Sequence, residues 1–142
     1  MKVALLEEKC ETCGATHAKP DLGDFAYGQF IFTSETGETY AYVEAPSVIW
    51  SILESALPPS KNPRQSADLL LRACAHFADS MNGQRLVNHF VCPKCRSSKA
   101  EYWGGEKRGE ADVPLATFDA FMGLPSHEQQ NSAKNFYASV KS

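Results

Sequence analysis

Cys10-Glu11-Thr12-Cys13-Gly14 and Cys92-Pro93-Lys94-Cys95 decide how this sequence folds. A two-residue spacer lets both sulfurs of one turn face the same ion, and two such turns satisfy a cation that prefers four tetrahedral ligands. The residue after the second cysteine often needs a left-handed backbone, which Gly14 adopts without steric cost. The two turns lie far apart, with 78 residues, 14–91, between them. One ion held by Cys10, Cys13, Cys92 and Cys95 would therefore tie the amino-terminal segment to the second half of the chain.

The two turns resemble the knuckles of a zinc ribbon, a resemblance confined to the turns and their flanks. It implies one structural Zn²⁺ per chain and a local fold, but no single activity, because ribbons occur in unrelated proteins. The long insertion sets this chain apart from compact ribbons and places the metal as a clamp at the base of a larger body. Three other readings compete. Cys92-Pro93-Lys94-Cys95 resembles the redox turn of glutaredoxin-like proteins, but reactive thiols there open a helix, and the residues after Cys95 read as extended. A catalytic zinc needs an open position and a general base; the deaminase signature pairs His-x-Glu with Pro-Cys-x-x-Cys, and no His-x-Glu occurs. Two unliganded pairs are the third. Structural zinc is the reading that uses all four sulfurs. Lys9, Lys94 and Arg96 flank the ligands and would soften their charge. His89 stands three residues before Cys92 as a spare ligand; His17, His76 and His127 read as satisfied or solvated.

Outward from the knuckles, residues 2–9 read as a strand feeding the first turn and 15–24 as a loop containing Pro20 and Gly23. Aromatic and β-branched runs at 27–33 and 38–44, joined by Ser34-Glu35-Thr36-Gly37, read as a hairpin. Phe30 and Phe32 share one face of its first strand; on its second, Ala41 and Val43 oppose Tyr40 and Tyr42. Ile49, Ile52, Leu53 and Leu57 recur at helical spacing up to Pro58. A second helix over 65–81 carries the stripe Leu70, Ala73, Cys74, Phe77 and Met81, capped by Ser66 or Asn62. Cys74, on that stripe, reads as a small core residue. After the Asn82-Gly83 turn, 85–91 reads as a strand delivering the second knuckle and 99–103 as its return, so that knuckle is expected on a hairpin. Residues 104–110 read as a polar, mobile loop. Phe118, Phe121, Met122 and Leu124 mark a helical turn, and 126–140 a final helix capped by Ser126. The expected fold is α+β: antiparallel hairpins with a split four-cysteine zinc ribbon and three to four helices packed on them. It forms one zinc-clamped domain, 1–142, with a helical insertion over 46–82 and a helical carboxy-terminal segment over 115–142.

The 142-residue length suits one domain, and no apolar run approaches the ~20 residues of a membrane span. The first residues turn acidic after four apolar positions, unlike a secretory signal, so the expected location is the cytoplasm, where thiols stay reduced. Charge is uneven. Residues 1–58 hold three lysines against nine acids and residues 59–142 eleven bases against eight acids, for a net charge of −3. Four thiolates on one divalent ion take this to about −5, which opposes phosphate-backbone binding. No Walker loop, Gly-x-Gly-x-x-Gly or catalytic triad is legible.

Two function classes follow. The first is a non-enzymatic protein-interaction protein, an inhibitor or immunity-type factor, whose acids Asp21, Asp24, Glu35, Glu38 and Glu44 steer a basic protein partner. The second is nucleic-acid association or a transcription-related role, through Lys94, Arg96, Lys99, Lys107 and Arg108 with Tyr102 and Trp103 as stacking surfaces. The overall charge ranks it behind the first.

Overall fold

The computed structural model describes residues 1–22 and 28–140. The chain is α+β, with two three-stranded antiparallel sheets and four helices among the described residues. In the first sheet β1 (Lys2–Cys10) is central, flanked by β2 (Thr16–Asp21) and β6 (Ala100–Asp112). In the second, β3 (Gln29–Ser34) lies between β4 (Tyr40–Glu44) and the short β5 (Leu86–Val87).

The β3–β4 hairpin forms as its pattern predicts. Phe30 faces Val43 and Phe32 faces Ala41 across the ladder, and Phe32, Ala41 and Val43 are buried. Residue 27 of the predicted strand lies outside the described residues. Helix α1 (Val48–Ser55) starts where the Ser47 hydroxyl accepts the Trp50 N–H, and α2 (Pro63–Phe77) where the Asn62 side chain accepts from Arg64 and Gln65. Asn62, not Ser66, is therefore the cap, with Pro63 at the first helical position, where its missing N–H costs nothing. The stripe of α2 buries Leu70, Ala73 and Cys74, and burial pushes the Cys74 thiol up to about 12, as befits an inert core cysteine. Helices α3 (Asp119–Met122) and α4 (Ser126–Ser139) close the main core, where the buried Tyr137 hydroxyl donates to the Leu53 carbonyl at 2.8 Å. Ser126 is the first helical residue, not the cap; Pro125 holds the cap position without a side-chain bond.

Three expectations fail. Residues 16–21 are a strand rather than a loop, paired in register with β1 from Ala4↔Asp21 to Lys9↔Thr16. Pro20 is tolerated because β2 is an edge strand, whose outer N–H positions need no partner. Residues 104–110 are the middle of β6, not a loop. Backbone pairing with β1 carries the chain through Gly104 and Gly109, both at positive φ, by three register shifts. Finally, β5 stops at Val87, and β5 and β6 belong to different sheets, so the second knuckle does not sit on a hairpin. It spans the gap between the sheets. Among the described residues, no helix is long and apolar enough to cross a membrane.

Candidate metal centre

The first knuckle is the turn joining β1 to β2, and the second lies just before β6. Both fold the same way. The Cys10 N–H donates to the Ala15 carbonyl and the Gly14 N–H to the Cys10 carbonyl; the Cys92 N–H donates to Ser97 and the Arg96 N–H to Cys92. The left-handed positions correspond too, Gly14 at φ 76° and Arg96 at φ 68°. Each knuckle supplies one fully buried cysteine, Cys10 or Cys92, and one exposed cysteine, Cys13 or Cys95. The Thr12 and Ser97 hydroxyls meet at 2.7 Å across the pair, and the Glu11 N–H donates to the Lys99 carbonyl.

All four sulfurs lie within 4.8 Å of one another. The cross-knuckle contacts Cys10–Cys95 and Cys13–Cys92 are each 3.6 Å. Sulfurs bound at about 2.3 Å to a tetrahedral centre stand about 3.8 Å apart, so the cluster has the dimensions of one ion's coordination shell. The spacing is far too long for a disulfide, whose sulfurs approach to about 2.05 Å. Electrostatics point the same way. Backbone N–H groups, first that of Cys13, draw the Cys10 thiol down to about 6 against the effect of burial. Cys95 is pushed up to about 12; a Ser97 backbone hydrogen bond favours its thiolate, but burial and the three neighbouring sulfurs outweigh it. Without a cation, the four sulfurs cannot all ionise together.

Around the ligands the structure places residues that the sequence hid. His17 is half-buried and satisfied, as one of its two readings had it, but by a ligand; its Nε2 lies 3.5 Å from the Cys92 sulfur, and burial, with Lys19 and Lys94 nearby, lowers its pKa. His89 is outside the cluster, with Nδ1 2.9 Å from the Phe90 carbonyl oxygen. Lys9 pairs with Glu101 at 3.2 Å, while Arg96 donates to the Thr36 carbonyl and lies 4.0 Å from Glu38. The cation that reaches Cys92 from within is Lys19, which is 2 % exposed. Its ammonium donates to the carbonyls of Gly37 at 2.9 Å and Val91 at 3.1 Å, and lies 3.6 Å from Oε1 of Glu8, also fully buried. The Tyr40 ring sits 4.8 Å away. Burial lowers the Lys19 pKa and raises that of Glu8 to about 7, each opposed by the other's charge. Gly37 is equally fixed: a Cβ there would stand 2.5 Å from the Val91 carbonyl oxygen. The small cluster of Cys10, Phe90 and Cys92, with Ala100 against it, is separate from the helical core.

The four described acids of the five predicted to bind a partner do not gather in one place. Glu35 and Glu38 lie in the β3–β4 turn, Glu35 accepting the Arg85 N–H beside β5 and Glu38 facing Arg96 of the second knuckle. Glu44 ends β4, about 14 Å along the strand from Tyr40. Asp21 ends β2 in the other sheet, and Asp24 lies outside the described residues. Of the basic group, Arg108 and the Tyr102 hydroxyl both bind Glu7, and Trp103 packs edge-on against Phe90 at 6.0 Å. No protein-family model, curated protein or solved structure is significantly similar to this chain.

Proposed function

We propose that this chain is a non-enzymatic protein-interaction protein, held together by one structural Zn²⁺, that binds a basic protein segment as an inhibitor or immunity-type factor does. Zinc is the ion that best suits four thiolates in a closed tetrahedral set, and closure leaves no position for substrate. Cys10, Cys13, Cys92 and Cys95 would hold it; its chemistry there is to neutralise and cross-link, with the backbone N–H groups of the two turns orienting the sulfurs.

One observation carries the interaction reading. A surface pocket of about 270 Å³ lies where the end of β4, the start of α1 and the segment 115–122 meet. Val48, Leu115 and Met122 around it are 67 %, 52 % and 40 % exposed, and Phe118 and Ile49 form its floor. Glu44 and Asp119 stand at the rim, and among the described residues no lysine or arginine lines it. Exposed apolar side chains grouped in one concavity mark interaction sites, and an acidic rim suits an apolar anchor flanked by cations.

The test has two arms. Elemental analysis should return one zinc per chain. A partner retained from the native host at physiological salt, then purified and titrated back, should lose affinity at least tenfold to a Leu115→Lys, Glu44→Lys variant that melts like the parent. Equal retention by that variant would overturn the interaction reading and leave the zinc reading to its own measurement.

A further inference from the structure

We propose that the cleft between α2, β5 and α4 binds a phosphate dianion, either free or as the phosphoryl group of a small phosphomonoester. The site rests on neither the metal nor the partner reading. The cleft, about 200 Å³, is lined by Arg72 and His76 from α2, Arg85, Asn88 and His89 around β5, and Phe136 from α4. The remaining lining residues are apolar, so two guanidinium groups and two imidazoles converge with no carboxylate among them.

Sequence spacing builds this arrangement. Arg72 and His76 are four apart on α2 and project from one face. Arg85 and His89 flank the short strand β5, which pairs with β3 and so brings them alongside that face. The guanidinium of Arg85 places Nη2 3.1 Å from Nδ1 of His76. A guanidinium has no acceptor, so His76 must accept through Nδ1 and carry its proton on Nε2. Partial burial first, and Arg85 second, lower the His76 pKa, which favours that neutral form. The His76 ring is braced from behind by Phe136 at 4.5 Å.

The acids nearby do not neutralise these cations. Glu35 accepts the backbone N–H of Arg85 at 3.4 Å rather than its guanidinium. Asp68, one helical turn before Arg72, forms no ion pair with it, and among the described residues neither Arg72 nor Arg85 pairs with any carboxylate. Elsewhere on this chain arginines do find acids, Arg96 with Glu38 and Arg108 with Glu7. Two unpaired guanidiniums beside a neutral imidazole donor suit the planar, multi-oxygen geometry of phosphate. The volume, about 200 Å³, is ample for a phosphoryl group or a small monoester and falls below the usual 300–1,000 Å³ of sites for larger ligands.

The experiment titrates the full chain with inorganic phosphate, phenyl phosphate and, as a control at matched ionic strength, sodium chloride, following the imidazole proton resonances. Phosphate should move the His76 and His89 signals saturably, with Kd on the order of 1 mM, and leave His127 in place. Arg85→Gln and, separately, Arg72→Gln should each weaken binding about tenfold or more, whereas Lys107→Gln should not. Two readouts guard against loss of fold, since either arginine variant suffices if the other melts early. Tighter binding of phenyl phosphate than of phosphate assigns the site to an aromatic monoester; equal binding assigns it to the phosphate group alone. Shifts reproduced by chloride, shifts that do not saturate by about 30 mM, or shifts unchanged in both arginine variants would overturn the proposal.

Discussion

Stripping the metal with a strong chelator, or replacing one buried ligand in Cys92→Ser, cuts the tie between two segments 79 residues apart, counted from Cys13 to Cys92. A cross-link closing a loop of that length removes denatured-state entropy worth about 4.5 kcal/mol at 25 °C. The metal–sulfur bonds add to this, so the figure is a floor. Against whole-domain stabilities of about 5–15 kcal/mol, it is roughly three-tenths of the total or more. For 142 residues the entropy of unfolding is about 0.3 kcal/mol/K, so the floor corresponds to a fall in Tm of about 15 °C. The fall should be accompanied by loss of the β1–β6 pairing, because the first knuckle leads out of β1 and the second leads into β6. Calorimetry with and without chelator, paired with elemental analysis of the same samples, makes the measurement. A sample proven free of metal that melts within about 3 °C of the untreated protein would refute the clamp.

The buried Lys19–Glu8 pair gives a second test: Lys19→Met should cost about 3–5 kcal/mol by urea unfolding, because Glu8 is left buried alone, and adding Glu8→Gln should recover part of that loss. At the β3–β4 turn, Gly37→Ala should destabilise more than Gly83→Ala. Both sit at positive φ, costing about 1 kcal/mol, but only the first places a methyl against the Val91 backbone; equal costs in thermal melts would contradict the close approach. Asp79 gives a pH test. Burial works to raise its pKa, but hydrogen bonds from Thr117 and from the backbone of Asp119 and Ala120 outweigh this and hold it below the usual carboxylate value. A depressed folded value means the contribution is complete above the unfolded pKa near 3.9 and is lost as pH falls through the folded value. Asp79→Ala should therefore lower stability by about 1 kcal/mol at pH 7, with the gap to the parent closing below about pH 3.

The hairpin, the helices and the four ligands were legible because each announces itself in apolar spacing or in cysteine pairs. What was not legible had its pattern inverted. In β2 the buried positions are taken by Lys19 and Pro20, residues that read as exposed loop. In β6 the start, up to Trp103, was legible as a strand; beyond it nearly every side chain is exposed on both faces, so no alternation remains, and the glycines mimic a loop. Backbone pairing to a central β1 makes β6 a strand, and pairing leaves no trace in side-chain pattern. The second knuckle hid its turn geometry because Arg96 takes the left-handed position that Gly14 takes in the first, at a cost of about 1–2 kcal/mol for a residue with a Cβ. Its guanidinium then reaches back to the Thr36 carbonyl, a contact no glycine would make.

A metal at the cluster would not by itself explain why a lysine occupies the seam. A methionine at position 19 would fill the same space without the expense of desolvating an ammonium. It would also leave the carbonyls of Gly37 and Val91 without donors in a buried region, and each unsatisfied group there costs about 1–3 kcal/mol. Those two carbonyls belong to the β3–β4 turn and to the residue before Cys92, so one ammonium fastens the second sheet and the second knuckle to β2. Its charge also opposes the negative excess of four thiolates and Glu8. Residue 91 is thus held by Lys19 from the first sheet, and its carbonyl lies so close to Gly37 of the second that no side chain fits between them. The Lys19 ammonium at the seam closes a gap between two sheets that share no ladder among the described residues, the same work that a metal ion at the four-cysteine cluster would do.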